Sequence, residues 1–111
     1  MEKELLQNVK TFWKSAELVY GARDYTSATI LYFKCLFVLL DYILFRVLKK
    51  TPKDHTERFR LLKNYFPDLY TVLDKYFQVY RDTYSLTIEK EKCDEVRNHV
   101  SRIIKEQSIQ I

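Results

Sequence analysis

Residues 24–50, DYTSATILYFKCLFVLLDYILFRVLKK, constrain what this chain can fold into more than any other stretch. At the rise of an α-helix they make about seven turns. Between Ile30 and Leu48 the only charged side chains are Lys34, Asp41 and Arg46, so the inner part is apolar on every side. A helix with no polar face must be covered all round, by lipid or by other helices. A lipid span of this length carries few or no charges, and this one carries three. The flanking sequence offers amphipathic helices able to wrap it. The stretch is therefore read as the central rod of a helical bundle, with no membrane association expected.

A chain of 111 residues forms one domain, residues 1–111, large enough for a hydrophobic core without disulfides or metals. One glycine and two prolines are too few turn formers for a sandwich or barrel of short strands. The two cysteines, Cys35 and Cys93, suit a reducing compartment, and MEKELLQNVK lacks the apolar centre of a signal peptide. The expected location is cytoplasmic. The net charge of +4 is mild, and no Lys/Arg run announces nucleic-acid binding.

Hydrophobic spacing divides the chain into helices. Leu5, Val9, Phe12, Trp13, Ala16 and Tyr20 recur at threes and fours, predicting a helix over Glu2–Tyr20 closed by Gly21. Asp24 is placed to cap the long helix, and Thr51-Pro52 ends it. Asp54 and Glu57 resemble a capping box opening a short helix with Phe59, Leu62, Tyr65 and Phe66 on its apolar side. Pro67 begins a fourth helix carrying Leu69, Val72, Leu73, Tyr76, Tyr80 and Thr83 or Tyr84 on one face. Ser85 or Thr87 is expected to cap a fifth, whose stripe runs Ile88, Cys93, Val96, Val100, Ile103 and Ile104. Short connections favour antiparallel neighbours, so the expected fold is all-α: an up-and-down bundle of four main helices plus one short helix.

Catalytic signatures are sparse. One glycine excludes a phosphate-binding Gly loop, and neither a nucleophile elbow nor a HExxH helix is present. His55 lies beside the capping Asp54 and His99 on the margin of the last stripe, both read as histidines satisfied locally. Cys35, Cys93, His55 and His99 lack the spacing of a zinc site, so no metal and no cofactor is expected. Lys34 and Asp41 lie two turns apart on one face of the apolar rod, where each charge needs a partner or a route to water. Either Lys34 snorkels and Asp41 pairs with a basic residue such as Arg81, or this face lines a polar cleft. In VYRDTYS, Arg81 and Asp82 are flanked by Tyr80 and Tyr84, rings that can pack or stack on bases.

The succession GARDYTSATILYFKCLFVLLDY, PKDHTERFRLL, LYTVLDKYFQVYRDTY and a terminal amphipathic helix resembles the small stand-alone prokaryotic and archaeal HEPN proteins. Gly21, Tyr25 and Ala28 lead into an aromatic-rich long helix, His55 starts the short one, and Arg81-Asp82 comes late in the next. The resemblance implies a helical bundle that forms a homodimer and is paired with a minimal nucleotidyltransferase in a toxin–antitoxin arrangement. It also implies metal-independent ribonuclease chemistry: an Arg, a polar residue after it, and a His four to six residues beyond the Arg. Arg81 and Asp82 match the first two positions. The third is absent, since Ser85, Leu86 and Thr87 stand there. Metal-free RNA cleavage needs a group that exchanges protons, and a guanidinium does not. The expectation is thus a binding and dimerisation module that contacts RNA or a nucleotide through Arg81, Asp82, Tyr84 and Lys34. The alternative is a ribonuclease using a relocated histidine, His55 or His99.

Overall fold

A computed structural model of the chain describes residues 1–111. It contains five α-helices and no strand: α1 (Glu2–Gly21), α2 (Tyr25–Leu48), α3 (His55–Tyr65), α4 (Pro67–Asp82) and α5 (Lys90–Glu106). The all-α bundle with one short helix is therefore observed. The central helix is α2, slightly shorter than the 24–50 stretch that announces it. Asp24 is its N-cap, its side chain accepting the Ser27 N–H at 3.0 Å. Lys49 ends it in the left-handed conformation, φ 60°.

α2 packs against each of the other four helices, which explains its composition. Between Tyr25 and Leu48 only Lys34, Arg46 and Val47 are exposed. Tyr32, Phe33, Leu36, Leu39, Leu40 and Leu44 are the large side chains it buries completely. Each Leu or Phe sealed this way contributes roughly 1.5–3 kcal/mol. The sheath is made by single stripes: Val9 and Ala16 from α1, Leu61 and Leu62 from α3, Leu73 and Tyr76 from α4, and Val96, Val100, Ile103 and Ile104 from α5.

Long polar side chains finish the cover. The Glu17 carboxylate on α1 accepts from Arg97 Nε at 2.8 Å and Arg97 Nη2 at 3.0 Å on α5, and also from the Tyr32 hydroxyl of α2. Tyr20 donates its hydroxyl hydrogen to Asp94, which holds Lys90 on its other oxygen. These bridges bind the outer edges of α1 and α5 over the aromatic rings of the rod.

Several ends differ from expectation. Gly21 remains helical, and the left-handed residue after α1 is Arg23, φ 66°. The turn needs its reversed backbone two residues later than the glycine. Ser85 and Thr87 do not cap α5; its N-cap is Glu89, without a side-chain bond. Ile88 precedes the helix in a loop because its N–H is taken at 2.9 Å by Thr26 Oγ1 of α2, which anchors its buried side chain there. Asp54 caps α3 as expected, accepting the Glu57 N–H at 2.8 Å, while Glu57 reaches back to Lys53 N–H at 3.2 Å, not to Asp54. Tyr65 is exposed, and its place on the buried side of α3 is held by Arg58 and Leu61.

Two consequences are measurable by urea denaturation. Leu39→Ala, opening a hole against the sheath, is expected to cost about 2–5 kcal/mol. Gly21→Ala is expected to gain roughly 0.5–1 kcal/mol, since a methyl there meets nothing within 4 Å and the φ is not positive.

Candidate functional site

The site grows from the one carboxylate that α2 carries into the bundle. Asp41 is met by Arg58, one helix away: Nε to Oδ1 at 2.7 Å and Nη2 to Oδ2 at 2.9 Å. Their side chains are only 14% and 10% exposed. Removing two charges from water is costly, and only a forked, fully bonded geometry of this kind offsets it. The expected partner, Arg81, is not the one used. The fork requires a guanidinium presented from the side of α2, and α3 presents Arg58 there on the same buried stripe as Leu61 and Leu62. Arg58 also lies over the Phe37 ring, 5.2 Å from its centre, which neutral core packing alone would not select.

The remaining corner of that guanidinium decides the state of His55. Arg58 Nη1 stands 2.7 Å from His55 Nδ1. Arginine only donates, so Nδ1 is the acceptor and the ring hydrogen sits on Nε2. Protonating the ring would set two donors face to face. The pKa of His55 is accordingly lowered, by partial burial first and by the Arg58 charge second. The burial comes from rings: Phe37 at 4.8 Å, Phe77 at 5.3 Å and Tyr80 at 6.0 Å between centres. His99 repeats the device on α5. Its Nδ1 accepts from Arg102 Nη2 at 3.0 Å, it lies 4.9 Å from the Tyr76 ring, and its pKa is lowered by burial and then by Arg102.

This arrangement has a chemical meaning. A histidine acting as general base needs a free nitrogen lone pair aimed at the substrate. In both histidines that lone pair is already occupied by an arginine three residues on, and the outward nitrogen carries hydrogen. In this arrangement each ring is a neutral hydrogen-bond donor whose lone pair is engaged.

Around His55 the structure gathers some of the anticipated residues and separates others. Tyr80 continues the ring cluster, and its hydroxyl lies 3.1 Å from that of Tyr84, which is 79% exposed. Lys34 is exposed on α2, and its charge helps to lower the His55 pKa, so it shares this neighbourhood. Arg81 is exposed and makes neither ion pair nor side-chain hydrogen bond. Asp82 does not orient it; its carboxylate accepts from Gln78 Nε2 at 2.8 Å. None of the surface clefts is lined by His55, Tyr84 or Arg81, so the site is an open face at the exposed end of α4.

Arg58 is the residue that sequence reasoning missed. The signal was present: a basic side chain on the apolar stripe of α3 answers an acidic one on the apolar rod. No group of three His, Cys, Asp or Glu side chains is placed to hold a metal. Cys35 and Cys93 are buried and unpaired, and burial pushes the Cys35 thiol up to about 12, which makes it a poor nucleophile. Compared with protein-family models, with curated proteins and with solved structures, the chain finds no match.

The ion pair and the histidines give two tests. Arg58→Ala strands the Asp41 carboxylate in the bundle and is expected to cost about 3–5 kcal/mol in chemical denaturation. The histidines act through pH. Their folded pKa values lie below the ordinary 6.5, so the unfolded chain binds protons that the native chain refuses. Stability is expected to be full above pH 6.5 and to fall as pH drops from there towards 5. In the His55→Gln/His99→Gln double variant, melting curves should lose that slope.

Proposed function

We propose that this chain is an HEPN-like binding and dimerisation module of the cytoplasm, which contacts RNA through the exposed end of α4 and does not cleave it. The observation that carries the reading is Arg81: an exposed guanidinium with no carboxylate partner, three residues from the most exposed tyrosine of the chain, Tyr84. An unpartnered arginine presents its fork of donors to a phosphate, and a bare tyrosine ring offers a platform for a base. Lys34 adds charge on the neighbouring face, and His55 adds a neutral N–H donor. The open face suits a strand laid across it better than an enclosed small ligand. From the resemblance come the remaining partners, a second copy of the chain and a nucleotidyltransferase-like protein.

The absence of catalysis rests on the proton inventory. Arg81 cannot exchange a proton, and both histidines hold their free lone pair against an arginine. A ribonuclease with His55 or His99 as its base would first have to break one of those bonds.

The test is a titration of a fluorescent single-stranded oligoribonucleotide by anisotropy. Arg81→Ala should weaken binding about tenfold, as expected for loss of one charged hydrogen-bonding contact. The slope of affinity against salt should shrink by about one. Circular dichroism should be unchanged. Equal affinity of variant and parent removes Arg81 from the site; EDTA-resistant cleavage that His55→Ala abolishes would establish the enzyme instead.

A further inference from the structure

The largest concavity of the molecule lies away from the α4 face. A groove of about 610 Å³ runs along the outer side of α1 beneath the C-terminal segment, within the size range of small-molecule sites, roughly 300–1,000 Å³. The other clefts reach at most 390 Å³. Its apolar surface comes from Trp13, Leu18 and Ile111, with Leu18 68% and Ile111 58% exposed. From Lys10 to Leu18 the helix rises about 12 Å, so the groove extends at least that far along α1.

Its charges are one-sided. Lys10 and Lys14 line it, one helical turn apart, and neither has an ion-pair partner. The one acidic side chain, Glu17, is already held on both oxygens by Arg97 and bonded by the Tyr32 hydroxyl. Its carboxyl lies below its ordinary range, first because of Arg97, so it stays ionised and matched. Two uncompensated ammonium groups thus stand over an apolar floor. The indole N–H of Trp13 has no protein acceptor and is not sealed from solvent, leaving one more donor.

We infer that this groove binds an anionic single-chain amphiphile, a medium-chain carboxylate whose tail lies on Trp13 and Leu18 while its head meets Lys10 and Lys14. A flexible apolar chain fits a long shallow slot, and the unpaired lysines supply the complement to a carboxylate. Lys105, on the rim of the adjoining cleft beside Trp13, extends the positive field. The site is independent of Arg81 and of any RNA.

Trp13 is the only tryptophan, so its fluorescence reports on the groove directly. Titrating the full chain with decanoate, kept below its micelle concentration, should give a saturable change in emission. Decanol, with the same tail and no charge, should bind about tenfold more weakly, and Lys10→Gln/Lys14→Gln should lose a similar factor for decanoate, each lysine supplying a solvent-screened contact. Raising salt from 0.05 to 0.5 M should weaken decanoate and not decanol. A lack of saturation, equal binding of decanol, or an unchanged double variant with a normal melting temperature would overturn the assignment. Preferential co-sedimentation with phosphatidylglycerol vesicles would do so too, by making the groove a membrane contact.

Discussion

The bundle is organised by a helix with little to show to water: between Tyr25 and Leu48 only Lys34, Arg46 and Val47 are exposed. α2 buries residues around most of its circumference, Leu36, Leu39, Leu40, Tyr42 and Leu44 among them, and leaves only the face of Ile30, Lys34, Val38 and Asp41 partly open, so it demands neighbours over most of its azimuth. Four other helices answer, each with only one apolar stripe to give. Their polar backs face outward, which is why the shell can be rich in charge while the rod is almost free of it. The short connections and the single glycine are consistent with this wrapping, since no strand or wide loop is needed.

The same constraint creates the chemistry. A carboxylate on such a rod cannot be left alone, and Asp41 obliges the chain to bring a guanidinium inward. Arg58 then has one edge left over, and that edge sets the tautomer of His55 and discourages its protonation. A structural requirement of the core thereby reaches the surface as a defined hydrogen-bond donor in a nest of Phe37, Phe77 and Tyr80. His99, held by Arg102 against Tyr76, shows that this His–Arg spacing of three is used twice. On the proposed reading one arrangement serves both features: Arg81, left unpaired, is offered to an anion, while Arg58 and Arg102 are bonded to histidines.

Electrostatic pairing also separates two surfaces. Glu17 with Arg97 neutralises the edge between α1 and α5, so Lys10 and Lys14 remain uncompensated beside Trp13. At the end of α4, Asp82 is engaged by Gln78, and Arg81 remains uncompensated beside Tyr84. In each case the bonds made by the acidic residue decide which cation is available. Charge counting along the chain, which finds a modest excess, says nothing of this distribution.

What the sequence determined alone was the part governed by local periodicity and by unconditional costs. The apolar run of α2, the stripes of α1, α4 and α5, and the caps at Asp24 and Asp54 depend on neighbours within a few residues, so they are legible in one dimension. So was the need for a partner to Asp41. Which partner it would be, where α5 would begin, and which way the histidines would carry their hydrogen were decided only by tertiary structure. Arg58 rather than Arg81, Thr26 holding Ile88 out of the helix, and Arg23 rather than Gly21 at the turn depend on groups brought close by packing. A side chain's partner is a matter of distance in space, and spacing along the chain encodes that distance only within a single helix.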